Sequence, residues 1–253
     1  MTERTKDVSD YGISSYTPTI SSLLSNIPNP TSNDPFKMMV VIQSSTPGEK
    51  PLPCTLDELQ KIEAHVPVEN LVKLVPGFVK DVLSNLQTAS IAHFACHGQQ
   101  YPRKPLESAL LLQDGPLKVS QIMERSIPNA SLAFLSACET AMGDESLPDE
   151  VIHLGATLLF AGFRGVVATM WYVHCIGFEA IVLNFCRSIA DLDGPKVAGT
   201  FYESMFKETD SSAMNGPRPD TTQAARTLHL AVTKLRSENV PFIRWVPFIY
   251  LGR

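Results

Sequence analysis

The chain has no run of lysines and arginines, no apolar stretch long enough to cross a bilayer, and five cysteines in 253 residues. Each shortage removes a class of function. With 21 basic against 26 acidic residues the net charge is −5, so the chain has no cationic face for a phosphate backbone or an anionic lipid, and neither nucleic acid nor membrane is an expected partner. The longest apolar stretches are interrupted by Gly, Arg or His before they reach a spanning length, and no basic start followed by an apolar segment opens the chain. Cys54, Cys96, Cys138, Cys175 and Cys186 form an odd set without regular spacing. That pattern argues against a disulfide framework and for reduced thiols, as in the cytoplasm. No internal repeat is visible.

What is present suffices for one core. Residues 1–35 are rich in Ser, Thr, Asn and Pro, with a weak apolar patch at Ile20 to Leu24, and read as a disordered tail or docking arm. Residues 36–253 read as a single domain. A first strand is expected at Phe36 to Ile42, then a helix opened by Thr55 with Glu58 three positions on, the pattern of a capping box. A strand near Leu71 to Leu74, a helix over Phe78 to Leu86 and strands ending at His97 and Cys138 follow. Leu110 to Leu112 and Leu117 to Val119 flank a turn and predict a hairpin. Val151, Leu154, Leu158 and Leu159 share a helical face that Gly162 can close, and Gly165 to Trp171 reads as a further buried strand. Helices at Pro195 to Phe206 and Thr222 to Arg236 and a last edge strand at Pro247 to Leu251 complete the pattern. Strands that are apolar throughout, alternating with helices, predict an α/β fold with a mostly parallel sheet covered on both faces.

Two blocks carry the chemistry. Ser90-Ile91-Ala92-His93-Phe94-Ala95-Cys96-His97-Gly98 and Ala130-Ser131-Leu132-Ala133-Phe134-Leu135-Ser136-Ala137-Cys138 each read as a buried strand that delivers a reactive side chain where it stops. A thiol at its usual pKa is only a few per cent thiolate at neutral pH, so a nucleophilic Cys138 needs an imidazole beside it, and His97 is the candidate base. Adjacent parallel strands end at the same sheet edge, where ligands bind in open α/β folds. Gly98, lacking a β-carbon, lets backbone N–H approach a reacting carbonyl and could form an oxyanion hole with the N–H of Cys138. His93 reads as a hydrogen-bonded core histidine and Cys96 as a small core hydrophobe. A zinc site from His93, Cys96, His97 and Cys138 has the right donors, but strand alternation puts Cys96 on the opposite face from the histidines, so no metal is expected. No cofactor is expected either.

The phrases His-Phe-Ala-Cys-His-Gly, Pro105 to Leu110, Leu135-Ser136-Ala137-Cys138-Glu139-Thr140-Ala141, Ala161 to Val166 and Trp245-Val246-Pro247-Phe248 together resemble a CHAT domain, the peptidase module related to caspases and separases. The resemblance implies a caspase-like three-layer α/β/α sandwich. It also implies a cysteine endopeptidase acting on intracellular proteins, with His97 as base, Cys138 as nucleophile and an acyl-enzyme intermediate. Fungal members look most similar, through Ser15-Tyr16-Thr17-Pro18-Thr19 and Asp193-Gly194-Pro195-Lys196-Val197-Ala198. In caspase relatives the position two before the nucleophile lines the first specificity pocket. Here it is the small, neutral Ser136, so a preference for a basic residue would need a carboxylate from elsewhere, with Asp114 and Asp144 as candidates.

Fungal relatives run from a Trp into a Ser-Ile-x-Asp-x-Asp-Gly-Pro stretch, which would join Trp171 to Ser188. Residues 172–187 therefore read as inserted, either an in-frame retained intron or a genuine insertion with Phe178, Ile181, Val182 and Phe185 at helical spacing. Members of the family also carry upstream helical repeats and a further N-terminal part of the domain, so a regulatory protein partner is an expectation. The alternative function is a catalytically silent CHAT-fold interaction module.

Overall fold

The computed structural model describes residues 8–19, 36–101, 104–125, 127–137, 154–169, 179–207 and 218–252, with backbone alone at 179–192 and 243. Among these residues nine strands form two sheets. The central one is built from β1 (Met38–Ile42), β2 (Leu71–Leu74), β3 (Ile91–Ala95), β7 (Leu132–Ser136), β8 (Gly165–Thr169) and β9 (Phe248–Gly252), in the order β2-β1-β3-β7-β8-β9. All pairings are parallel except that of β8 with β9. A small antiparallel sheet combines β4 (His97–Gln99), β5 (Ala109–Leu112) and β6 (Gly115–Lys118).

The inner strands β1, β3, β7 and β8 are buried at every position, because a parallel sheet is roofed on both faces and leaves no side for polar residues. On one face Met38, Val40, Ile91, Phe134 and Val167 pack against α1 (Cys54–Glu63), α5 (Glu179–Lys207) and α6 (Ala224–Ser237) through Ile62, Phe201, Tyr202 and Leu228. On the other face Met39, Val41, Phe94, Leu135 and Val166 pack against α2 (Val79–Leu86), α3 (Val119–Met123) and α4 (Leu154–Ala161) through Val82, Ile122 and Leu158. Strand alternation separates the two cores and gives a three-layer α/β/α architecture consistent with a caspase-like sandwich. Among the described residues no helix is long and apolar enough to cross a membrane.

Three local expectations change. The capping box at Thr55 does not form: α1 begins at Cys54, Thr55 Oγ1 donates back to the Leu52 carbonyl, and Glu58 turns into the core, 1% exposed. The helix expected from Pro195 begins earlier, as α5 runs through that proline from Glu179. Residues 172–178 lie outside the described residues, whereas 179–187 form the first turns of α5. The expected hairpin is extended to a three-stranded sheet because the chain bends at Cys96 and pairs His97, Gly98 and Gln99 with Leu111, Leu110 and Ala109.

Part of the N-terminal segment is docked. Tyr16 bridges Leu251 in parallel, its N–H donating to the Tyr250 carbonyl and its own carbonyl accepting from Gly252, while the Ser15 hydroxyl donates to Gly252 O. Arg236 of α6 stacks over the Trp245 ring, 4.7 Å from its centroid, and also donates to Ser9.

The carboxylate of Asp193, wholly buried in α5, is held by a bidentate pair from Arg244 of α7 (Phe242–Trp245), with Nε–Oδ2 at 2.7 Å and Nη2–Oδ1 at 2.6 Å. Removing a partner strands a buried charge, although the guanidinium reaches solvent and part of the penalty is screened. Arg244→Ala is expected to lower unfolding free energy by about 2 kcal/mol, read as a reduced urea midpoint.

Candidate active site

His97 begins β4 immediately beyond the C-terminal end of β3, where the chain leaves the central sheet for the small one. The residue is 4% exposed and its Nε2 lies 2.7 Å from the carbonyl oxygen of Lys50. A carbonyl can only accept, so Nε2 carries the proton and donates, and in the neutral ring Nδ1 is left with the free lone pair. The fold therefore selects the tautomer and the nitrogen that can act as a base. Lys50 lies in the loop after β1, and Gln43 pins the start of that loop. The Gln43 backbone N–H donates to Ala95 O, its side-chain Nε2 donates to Ser45 O at 2.6 Å and Gln113 Oε1 at 2.8 Å, and its Oε1 accepts from Gly77.

The strand end before position 138 is fixed from two sides. Thr169 Oγ1, at the end of β8, donates to the Ala137 carbonyl, and Ser136 Oγ donates to Glu58 Oε2 at 3.0 Å. Glu58 belongs to a buried polar cluster between the sheet and α1 and α5. Glu58 Oε1 is 3.1 Å from His93 Nε2, and His93 Nδ1 is 3.1 Å from the Tyr202 hydroxyl. Burial pushes the Tyr202 pKa well up, with the charge of Glu58 adding to it, so the phenol keeps its proton and can donate to Nδ1. The ring proton then sits on Nε2, on the Glu58 side, the arrangement that avoids facing two lone pairs. Glu58 Oε1 and His93 Nε2 are in contact distance without satisfying hydrogen-bond geometry, and they are the cluster's two polar atoms with no completed bond. The His93 ring also stacks on Phe134, with centroids 4.9 Å apart.

Both nitrogens of His93 thus face protein groups, as its reading as a core histidine requires, and Cys96 packs with Phe94 in the opposite core. Among the described residues no group of three His, Cys, Asp or Glu side chains could hold a metal ion. Gly98 pairs with Leu110 in the small sheet. Asp114 Oδ1 accepts the backbone N–H of Val79 at 2.9 Å and so satisfies the first turn of α2 from a distant loop. The Ser136 hydroxyl is engaged by Glu58. Cys138 and Asp144 lie outside the described residues. Beyond His97, a groove of about 330 Å³ is lined by Gln99, Tyr101, Lys104, Glu107, Pro116 and Lys118.

Sequence reasoning missed Glu58, Tyr202 and the Lys50 carbonyl. Glu58 left a signal: with Thr55, Leu59 and Ile62 it occupies the inward face of α1, where an acidic residue needs a buried partner. The Lys50 carbonyl left none, since every residue carries that group.

No curated protein matches the chain. The model of one family, the CHAT domain, matches residues 4–253. A match over nearly the full length, on an α/β/α fold that bears the His-Phe-Ala-Cys-His-Gly phrase on β3 and β4, places this chain in the CHAT domain family.

Proposed function

We propose that this CHAT domain is a cysteine endopeptidase of caspase-like, fungal-type descent, acting on cytoplasmic proteins with His97 as general base and Cys138 as nucleophile. The observation that carries the reading is the Nε2–Lys50 bond, which leaves His97 Nδ1 unprotonated in the neutral ring. The strand register adds support. Ala95 of β3 pairs with Ser136 of β7, and two residues further along each chain come His97 and Cys138.

In this mechanism Nδ1 takes the thiol proton and the sulfur attacks the scissile carbonyl, whose oxygen becomes an oxyanion received by the backbone N–H groups of Gly98 and Cys138. Collapse breaks the C–N bond, and the imidazolium returns its proton to the departing amine. Water, deprotonated by the same nitrogen, then attacks the thioester, releasing the acid and restoring the thiol. The groove on the small sheet, lined from Gln99 onward, is the proposed seat of an extended peptide, and Asp144 is the proposed carboxylate of the first specificity pocket, since the Ser136 hydroxyl is engaged by Glu58 and the Asp114 carboxylate by the Val79 N–H.

Labelling with an iodoacetamide probe tests the reading. At pH 7 the wild type is expected to be labelled at Cys138 at least about tenfold faster than an ordinary thiol, because a thiolate fraction of a few per cent becomes a major one. Cys138→Ala should lose that fast phase. A slow Cys138 in a folded protein would favour the silent interaction module instead.

A further inference from the structure

We propose that Glu58 is a positioning residue for the nucleophile, acting through Ser136, and that the buried chain Ser136–Glu58–His93–Tyr202 exists to hold the end of β7 in register with His97; this rests on the peptidase reading above.

The chain is costly to fold. Glu58, His93 and Tyr202 are all within 1% of complete burial, and Ser136 is 5% exposed. Four polar side chains in a core that elsewhere holds Phe134, Phe201 and Ile62 cost desolvation that an apolar set of the same volume would avoid. Stability alone gives no reason to keep them. Their location does: the chain terminates on Ser136, two residues before the proposed nucleophile, on the sheet face that carries His93 and Ala95. The ladder between β7 and β8 pairs Leu132, Ala133 and Phe134 with Gly165, Val166 and Val167, so Ser136 lies two residues past its last pair. Side chains take over there, with Thr169 holding the Ala137 carbonyl and Glu58 holding the Ser136 hydroxyl.

The backbone has been shaped to admit the chain. A β-carbon on Gly194 of α5 would stand 2.6 Å from Ser136 Oγ and 2.9 Å from Glu58 Oε2, so only glycine lets the helix close over this pair. A hydroxyl anchored at Ser136 limits the excursions of the strand end. An angstrom of drift between sulfur and imidazole is enough to weaken proton transfer by orders of magnitude.

The test is the pH dependence of iodoacetamide alkylation at Cys138, followed by mass spectrometry in wild type, Glu58→Gln, Ser136→Ala and Ser136→Thr. Circular dichroism and urea midpoints identify variants that remain folded. Glu58→Gln and Ser136→Ala are expected to slow alkylation at pH 7 about tenfold and to move the alkylation midpoint up by about one pH unit, since each unit is a tenfold change in thiolate. Ser136→Thr keeps the hydroxyl at the expense of an added methyl, and where it folds it should alkylate faster than Ser136→Ala. Should Glu58→Gln fail to fold, Ser136→Ala decides alone, because it removes only the link. A wild type with the fast, acid-shifted profile and folded variants that match it would overturn the positioning role while leaving the peptidase reading intact. A wild-type Cys138 that titrates as an ordinary thiol would overturn both.

Discussion

His97→Ala is expected to reduce peptide hydrolysis by about 10²–10⁴-fold, the usual worth of a positioned acid–base group, and to return Cys138 to the titration of a free thiol near pH 8.5. Both effects have one cause. The Lys50 carbonyl accepts the hydrogen bond from Nε2–H, so the substitution removes the unprotonated Nδ1 that the proposed dyad uses as its base. A pH–rate profile of alkylation checks the second effect without knowledge of the substrate. If His97→Ala leaves both the alkylation profile and hydrolysis unchanged, the dyad is wrong and another base must be sought. His97→Gln is a useful companion because it can restore a donor toward Lys50 while offering no titratable nitrogen. It should be folded and as inactive as the alanine variant.

Gly194→Ala is expected to cost about 3 kcal/mol or more of stability, despite the gain of about 1 kcal/mol that alanine normally brings to a helix interior. The new methyl would meet Ser136 Oγ at 2.6 Å and Glu58 Oε2 at 2.9 Å, atoms with no room to retreat because both belong to fully packed side chains. Relief would require α5 to lift from the sheet or the Ser136–Glu58 bond to break, and the latter leaves a buried polar pair unsatisfied. Gly199, five residues along the same helix, provides the control. Its β-carbon would come nearest the Lys61 side-chain stem, at 3.2 to 3.4 Å, on an exposed residue that can swing away, so Gly199→Ala should be neutral or slightly stabilising. Urea unfolding of the two variants side by side measures the difference. Equal midpoints would mean that the cluster is more yielding than its burial implies.

The secondary structure was legible where patterning is local. Apolar runs at Met38 to Ile42, Ile91 to Ala95 and Leu132 to Ser136 are strands because five apolar residues are short for a helix and suit a sheet covered on both faces, and Gly162 ends α4 at φ +122°, a conformation other residues rarely adopt. Reading failed where a side chain's partner came from far along the chain. Thr55 and Glu58 matched a helix-start pattern, yet Glu58 is claimed by Ser136, 78 residues away, and by His93. Pro195 read as a helix beginning, whereas α5 accommodates it internally. The strand at His97 to Gln99 was too short to show any periodicity and exists only because β5 lies beside it.

Residue types and their order along the chain determined the α/β class, the layered sheet and the pair of blocks that end in His97 and Cys138, since burial patterns and the chemistry of thiol and imidazole are written in single residues and short runs. Tertiary structure alone decided which nitrogen of His97 is free, which carboxyl group reaches Ser136 and why Gly194 has no side chain. Those outcomes depend on a backbone carbonyl at Lys50, a turn of α1 and the approach of α5 meeting in space, and no short-range pattern encodes a meeting between segments that folding brings together across tens of residues.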